Sequence, residues 1–137
     1  EAVGVMTAEG RAVSKPAGGA FVISTWLLED GDTAGQEESA ARPLWQGDKR
    51  DRAAPLPQGW EIRHFTGKGS GARAAGQCAP KRIIVAPEPV DLPREAPCLV
   101  FDSRRLRRTG AVALEMGAQG PVWQGVTQSH PVLRLPR

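Results

Sequence analysis

The sequence predicts an α/β (or α+β) domain built on a mixed β-sheet with short covering helices. Three observations carry that expectation. The run Cys98 to Phe101 is continuously apolar, as in a strand covered on both faces. A basic helical turn and a second, alternating strand follow it directly, so a strand, a helix and a strand are packed into the stretch Cys98 to Leu114. From residue 60 onward the order is strand, helix, strand, connection, strand, short helix, strand, strand, which suits a sheet mixing parallel and antiparallel neighbours.

Taken in order, Ala2 to Met6 and Arg11 to Ser14 flank the turn Thr7 to Gly10, which predicts a β-hairpin, and Pro16 to Gly19 ends it. Phe21 to Leu28 fits two periods. Phe21, Thr25 and Leu28 lie on one helical face while the β-branched content suits a strand, and the reading adopted is a short helix. Glu29 to Asp32 stops it, and Gln36 to Arg42 adds a helical turn before Pro43. Residues 43–59 read as a surface loop, polar from Trp45 to Gln58, with Asp48 to Arg52 at its centre and Pro55 and Pro57 as breakers.

Trp60, Ile62 and His64 alternate with Glu61, Arg63 and Phe65, which predicts a strand. Gly67 to Gly71 leads into a small-residue helix, Ala72 to Cys78, that ends near Pro80. Ile83 to Ala86 is a short buried strand closed by Pro87 and Pro89. After a Pro-rich connection and the strand Cys98 to Phe101, Asp102 or Ser103 can accept hydrogen bonds from the first free amides of a short helix, which Gly110 stops. Leu106 on that helix points inward. Val112, Leu114 and Met116 then alternate with Ala111, Ala113 and Glu115, and Pro121 to Val126 offers a last edge strand before an extended tail. The single domain so described has a hairpin and short helix at 1–42, a loop at 43–59, a strand-helix-strand core at 60–126 and a tail at 127–137.

A chain of 137 residues can bury about two-thirds of its unfolded surface, enough for a core without help from a metal. With 16 Gly, 12 Pro, three Phe and no Tyr, that core must come from short elements bearing Val, Leu, Ile, Ala and the four Trp. The opening at Glu1, already strand-like, leads us to expect a piece of a longer protein. No apolar run reaches the roughly 20 residues that span a bilayer, and no signal-peptide pattern is present. The net charge of +3 is uneven, acidic from Glu29 to Glu38 and basic at Arg104, Arg105, Arg107 and Arg108. Such a balance permits weak, salt-sensitive contact with phosphate.

The motifs divide by chemistry. Gly67-Lys68-Gly69-Ser70-Gly71 follows a strand and precedes a helix, where free amides and Lys68 could hold a phosphate, but the spacing is neither that of a P-loop nor that of a dinucleotide fingerprint. It reads as a flexible turn. Glu29, Asp30 and Asp32 resemble half of a metal site, but without a second acidic cluster they read as a solvated turn. His64 and His130 stand apart in sequence and are expected to be structural or surface groups. Cys78 and Cys98 cannot make a structural zinc site alone. The tendency of free cysteine to be buried favours two separate thiols, whereas in an oxidising compartment a Cys78–Cys98 disulfide would close a loop worth about 3 kcal/mol. The arginines of 104–108 suit phosphate oxygens, but no aromatic stacking platform lies near them in sequence. A solvated basic face is favoured over a nucleic-acid contact.

Two stretches resemble a known family. Trp26-Leu27 followed by Asp30-Gly31-Asp32 resembles a Trp-Leu-x-x-Asp-Gly-Asp signature, and Val100, Asp102, Leu106, Gly110, Ala111, Ala113 and Leu114 resemble a closing Val-x-Asp-x-x-x-Leu-x-x-x-Gly-Ala-x-Ala-Leu stretch. Both are similar to the C-terminal part of ComEC competence proteins, the inner-membrane channels for DNA uptake typical of Gram-negative bacteria. The resemblance implies a partial metallo-β-lactamase-like layer on the periplasmic side, joined to an upstream transmembrane channel that moves single-stranded DNA during natural transformation. Complete members of that superfamily carry a His-x-His-x-Asp-His metal motif. This chain has none, so no metal, cofactor or catalytic residue is carried over.

The expectation is therefore a non-catalytic module whose candidates for nucleic-acid contact are Lys68, Arg104, Arg105, Arg107 and Arg108. The alternative is a metal-dependent hydrolase or nuclease fragment using Asp30, Asp32 and His64, with further ligands outside the chain. A third reading is a structural cap that completes the sheet of an upstream segment.

Overall fold

The computed structural model describes residues 3–16, 20–109 and 112–125. The hairpin expected at the start is present: β1 (Gly4–Thr7) and β2 (Gly10–Val13) pair antiparallel, with the Thr7 hydroxyl donating to the Gly10 carbonyl across the turn. The helices α1 (Ala20–Glu29) and α2 (Gln36–Ala40) follow. Four strands, β3 (Asp51–Pro55), β4 (Glu61–Phe65), β5 (Arg82–Val85) and β6 (Leu99–Phe101), make a sheet in the order β3-β4-β5-β6. β3 runs antiparallel to β4, whereas β4, β5 and β6 are parallel, so the expected mixed α/β sheet is what forms. The helix α3 (Ser70–Ala75) connects β4 to β5, and α4 (Ser103–Thr109) follows β6.

One face of this sheet presents Ala54, Ile62, Ile83, Val85 and Phe101, over which lie Ala12 of the hairpin and the indole of Trp45. Trp45 Nε1 donates to the Ala12 carbonyl at 3.0 Å, so the one polar atom of a buried ring is satisfied by β2. The other face presents Phe65, Ile84 and Val100 to Ala74 of α3 and to Val90 of the connection leading to β6. Ile83 and Ile84 are both fully buried on opposite faces, which is why the apolar run here is continuous. A third cluster joins Val13 of β2 to Ile23 and Leu27 of α1.

Three expectations need correction. Residues 43–59 are not all surface loop: β3 lies within them, paired with β4 from Asp51↔Phe65 to Pro55↔Glu61, and Trp45 is buried. Only Ala54 of this strand is deeply buried, so its side chains carry no apolar pattern, and Pro55 sits at the end of an edge strand where a missing N–H costs little. In α1 the inward residues are Ile23 and Leu27, whereas Phe21 and Leu28, of the face proposed from sequence, are 85% and 79% exposed. The packing decides between two apolar stripes that periodicity leaves equal. The last two strands, β7 (Val112–Gly117) and β8 (Gly120–Gly125), form an antiparallel hairpin of their own instead of extending the central sheet. Gly120, at φ +113°, brings this hairpin against the Trp60 ring, and Gln58 Nε2 donates to the Gly117 carbonyl at 2.7 Å. Gly110, His130 and the tail from 127 lie outside the described residues.

Candidate functional site

The stretch Trp26 to Asp32 is a helix terminus built to grip two arginines. The Asp32 amide donates to the Leu27 carbonyl and the Gly31 amide to the Leu28 carbonyl, with Gly31 at φ +72°. This is a Schellman cap, which needs glycine at its left-handed position. The aspartates on either side are thereby held outward from the cap. Asp30 accepts Arg11 Nε at 2.8 Å and Nη2 at 3.1 Å, both side chains being 4% exposed, and the Arg11 guanidinium also lies over the Trp26 ring at 5.6 Å. Asp32 accepts both terminal nitrogens of Arg42, at 2.6 and 2.9 Å. Hydrogen bonding to Arg42 lowers the Asp32 carboxyl and raises the Arg42 guanidinium from their ordinary values.

For Asp30 and Asp32 the expectation of a solvated turn is overturned, because both are engaged in largely buried ion pairs, whereas Glu29 is exposed. The alternative metal site gains nothing from them. His64 is fully buried, with Nδ1 2.6 Å from Ser14 Oγ, a structural tie between β4 and the hairpin. Among the described residues no group of three or more His, Cys, Asp or Glu is placed to hold a metal.

The Gly67–Gly71 turn does collect free amides, and the chain fills them itself. Glu88 accepts the amides of Gly71 at 3.0 Å and Gly69 at 3.1 Å. Those two bonds, Gly71 first, hold the Glu88 carboxyl below its ordinary range. Arg73 braces the same turn by donating to the carbonyls of Lys68 and Thr66. Lys68 is exposed at its tip, beside a cradle already occupied by a carboxylate.

Cys78 and Cys98 are joined in a disulfide, with Cα atoms 5.3 Å apart, so the preference for two separate thiols is corrected. The bond ties the segment after α3 to the start of β6, two places that the sheet already brings together. Spacing allowed the bridge but did not select it.

At the end of β6, Asp102 works in two directions. Its Oδ1 accepts the Arg105 amide at 3.0 Å as the N-cap of α4, and its Oδ2 accepts the Val90 amide at 2.8 Å. Burial pushes the Asp102 carboxyl up, but these two amides together with Arg104 outweigh it and leave the group lowered. The cap fixes α4, and Leu106 packs inward as expected.

The arginines of α4 separate into held and open groups. Arg105 Nη1 donates to the Val100 carbonyl at 2.8 Å, and its guanidinium lies 5.2 Å from the Phe101 ring and 4.7 Å from the Trp123 ring. The expectation that no aromatic platform lies near these arginines is corrected, since Phe101 of β6, four residues before Arg105, and Trp123 of β8 supply two. Arg104 donates to Asp91 at 2.9 Å in an exposed pair of small energetic weight. Arg107 Nε donates to the Ser103 carbonyl at 3.3 Å. A cleft of about 420 Å³ opens between α4 and the connection to β6, lined by Arg94, Arg104, Arg105 and Arg108 together with the apolar Leu92 and Val100. Arg94 and Arg108 have no counter-ion among the described residues.

Arg94 escaped the sequence reading because it stands in the Pro-rich connection. The signal that could have found it is topological: the connection leaves the carboxyl end of a parallel strand, where α/β sheets place their crevices. Lys68 is not part of this cleft. Among the described residues no helix is long and apolar enough to cross a membrane. Comparison with protein-family models, with curated proteins and with solved structures yields no match for this chain.

Proposed function

We propose that this chain is a non-catalytic domain of a ComEC-type DNA-uptake channel, contacting single-stranded DNA through the arginines gathered between α4 and the connection to β6. The observation that carries the reading is that gathering. Arg94, Arg104 and Arg108 line one cleft, Arg107 stands exposed on the same helix, and Asp102 is the one carboxylate in the lining. Guanidinium groups suit phosphate oxygens, and a site so charged attracts a polyanion before any base is read.

Two further observations support it. The residues that carry the family resemblance have structural work to do: Trp26, Asp30, Gly31 and Asp32 build the capped arginine clamp, and Asp102 builds the cap of α4. A disulfide is at home in an oxidising compartment, which suits a domain on the periplasmic side of an inner membrane.

Fluorescence anisotropy of a labelled single-stranded oligonucleotide with the whole chain, at low and at physiological salt, tests the reading. Binding that weakens steeply as salt rises is the expected result. No binding at low salt removes the nucleic-acid role.

A further inference from the structure

We infer that the cleft beside β6 takes one nucleotide unit, phosphate on the open arginines and base on the apolar lining, an inference that rests on the reading just given and sharpens it to a site. The lining has two chemistries. Arg94 and Arg108 are exposed guanidinium groups without counter-ions among the described residues, whereas Arg104 is tied to Asp91, and Arg105 is fixed by the Val100 carbonyl and two rings. The two open cations are the phosphate ligands. Leu92 and Val100 of the same lining offer an apolar surface, and the cleft of about 420 Å³ is within the range of small-ligand sites.

A bare phosphate would satisfy the arginines and leave that apolar surface wet. A duplex keeps its bases stacked inside and cannot offer one to it. A single strand can turn a base out, and bases pack on apolar and guanidinium surfaces irrespective of sequence. The recognised chemistry is a nucleoside phosphate, which a DNA strand and a free mononucleotide share.

The test uses anisotropy of labelled oligothymidylate and of labelled thymidine monophosphate, with unlabelled oligothymidylate, thymidine monophosphate, orthophosphate, duplex DNA and an acidic peptide as competitors. The double variant Arg94→Gln/Arg108→Gln is compared with Lys49→Gln/Arg50→Gln, which removes the same charge from an exposed turn distant in sequence. The first pair weakens binding about tenfold or more and lowers the slope of log affinity against log salt by about one, while the second leaves affinity within about twofold. Displacement by thymidine monophosphate assigns the site to free nucleotides as well, and displacement by the oligomer alone assigns it to the strand. Both uphold the inference.

Equal losses in the two double variants, or competition by orthophosphate, acidic peptide or duplex as strong as that by the single strand, overturn it. Strand binding by the native chain that ignores Arg94 and Arg108 removes the cleft but leaves the proposed function standing. Mononucleotide binding without strand binding does the reverse.

Discussion

Glu88 and Gly71 are locked together from two sides: the Gly71 amide donates to Glu88 Oε1 at 3.0 Å, and a Cβ on Gly71 would run into the carbonyl oxygen of Pro89. A glycine-rich turn that looks open to phosphate is therefore closed by the chain itself. Gly71→Ala is expected to lower stability by about 2 kcal/mol or more, because backbone and not a pliable side chain blocks the added methyl. Urea unfolding followed by circular dichroism measures it, and a change under about 0.5 kcal/mol would show that the turn yields.

Acid should weaken the fold through three carboxylates. Asp32, Glu88 and Asp102 are all held below their ordinary values when folded. The unfolded chain takes up these protons first as pH falls. Their contribution is therefore complete above about pH 5 and drains away below about pH 4, as each folded carboxyl is protonated in turn. In Glu88→Gln the side-chain amide turns a donor toward one of two donors, so the variant is less stable near neutrality and converges on the native chain in acid. Urea midpoints across that range decide it; a constant gap between the two proteins would contradict the assignment.

The Arg11–Asp30 pair is buried on both sides, so removing one member strands the other. Asp30→Ala should cost about 3–5 kcal/mol. The double replacement Arg11→Met/Asp30→Leu leaves no orphaned charge and should recover a large part of that loss. Thermal melting of the three variants is the measurement, and a double variant as damaged as the sum of its parts would refute the account.

Reduction of the Cys78–Cys98 bridge should cost about 3 kcal/mol, the loop-closure value for its sequence separation of 20. A Cys78→Ser/Cys98→Ser variant should match the reduced native chain in urea and be indifferent to reductant. A native chain equally indifferent would show that the bridge contributes nothing.

The parts of the fold legible in the sequence are those where burial writes itself into local composition. β5 is a short apolar run between Pro80 and Pro87, β6 is another that follows Pro97, β7 alternates, and Asp102 precedes a helical turn as an N-cap should. β3 was illegible because it is held at the sheet margin by main-chain pairing, with Ala54 alone deeply buried. The partners of Asp30, Asp32 and Glu88 were equally hidden, since Arg11, Arg42 and the Gly69 and Gly71 amides lie 10 to 19 residues away and are joined only by the fold. The basic run of α4 could be read directly. Its division into held and open arginines depends on Trp123, Asp91 and Val100, none of which announces itself as a neighbour.

Both margins of the four-stranded sheet are already spoken for. At β3, Gln46 and Ala53 exchange main-chain hydrogen bonds of 2.8 Å and Pro55 ends the strand, while at β6 Arg105 occupies the Val100 carbonyl. An incoming extended peptide would have to evict these groups before it could zip on. The four-stranded sheet is in this way guarded at one point of each margin against the addition of a further strand.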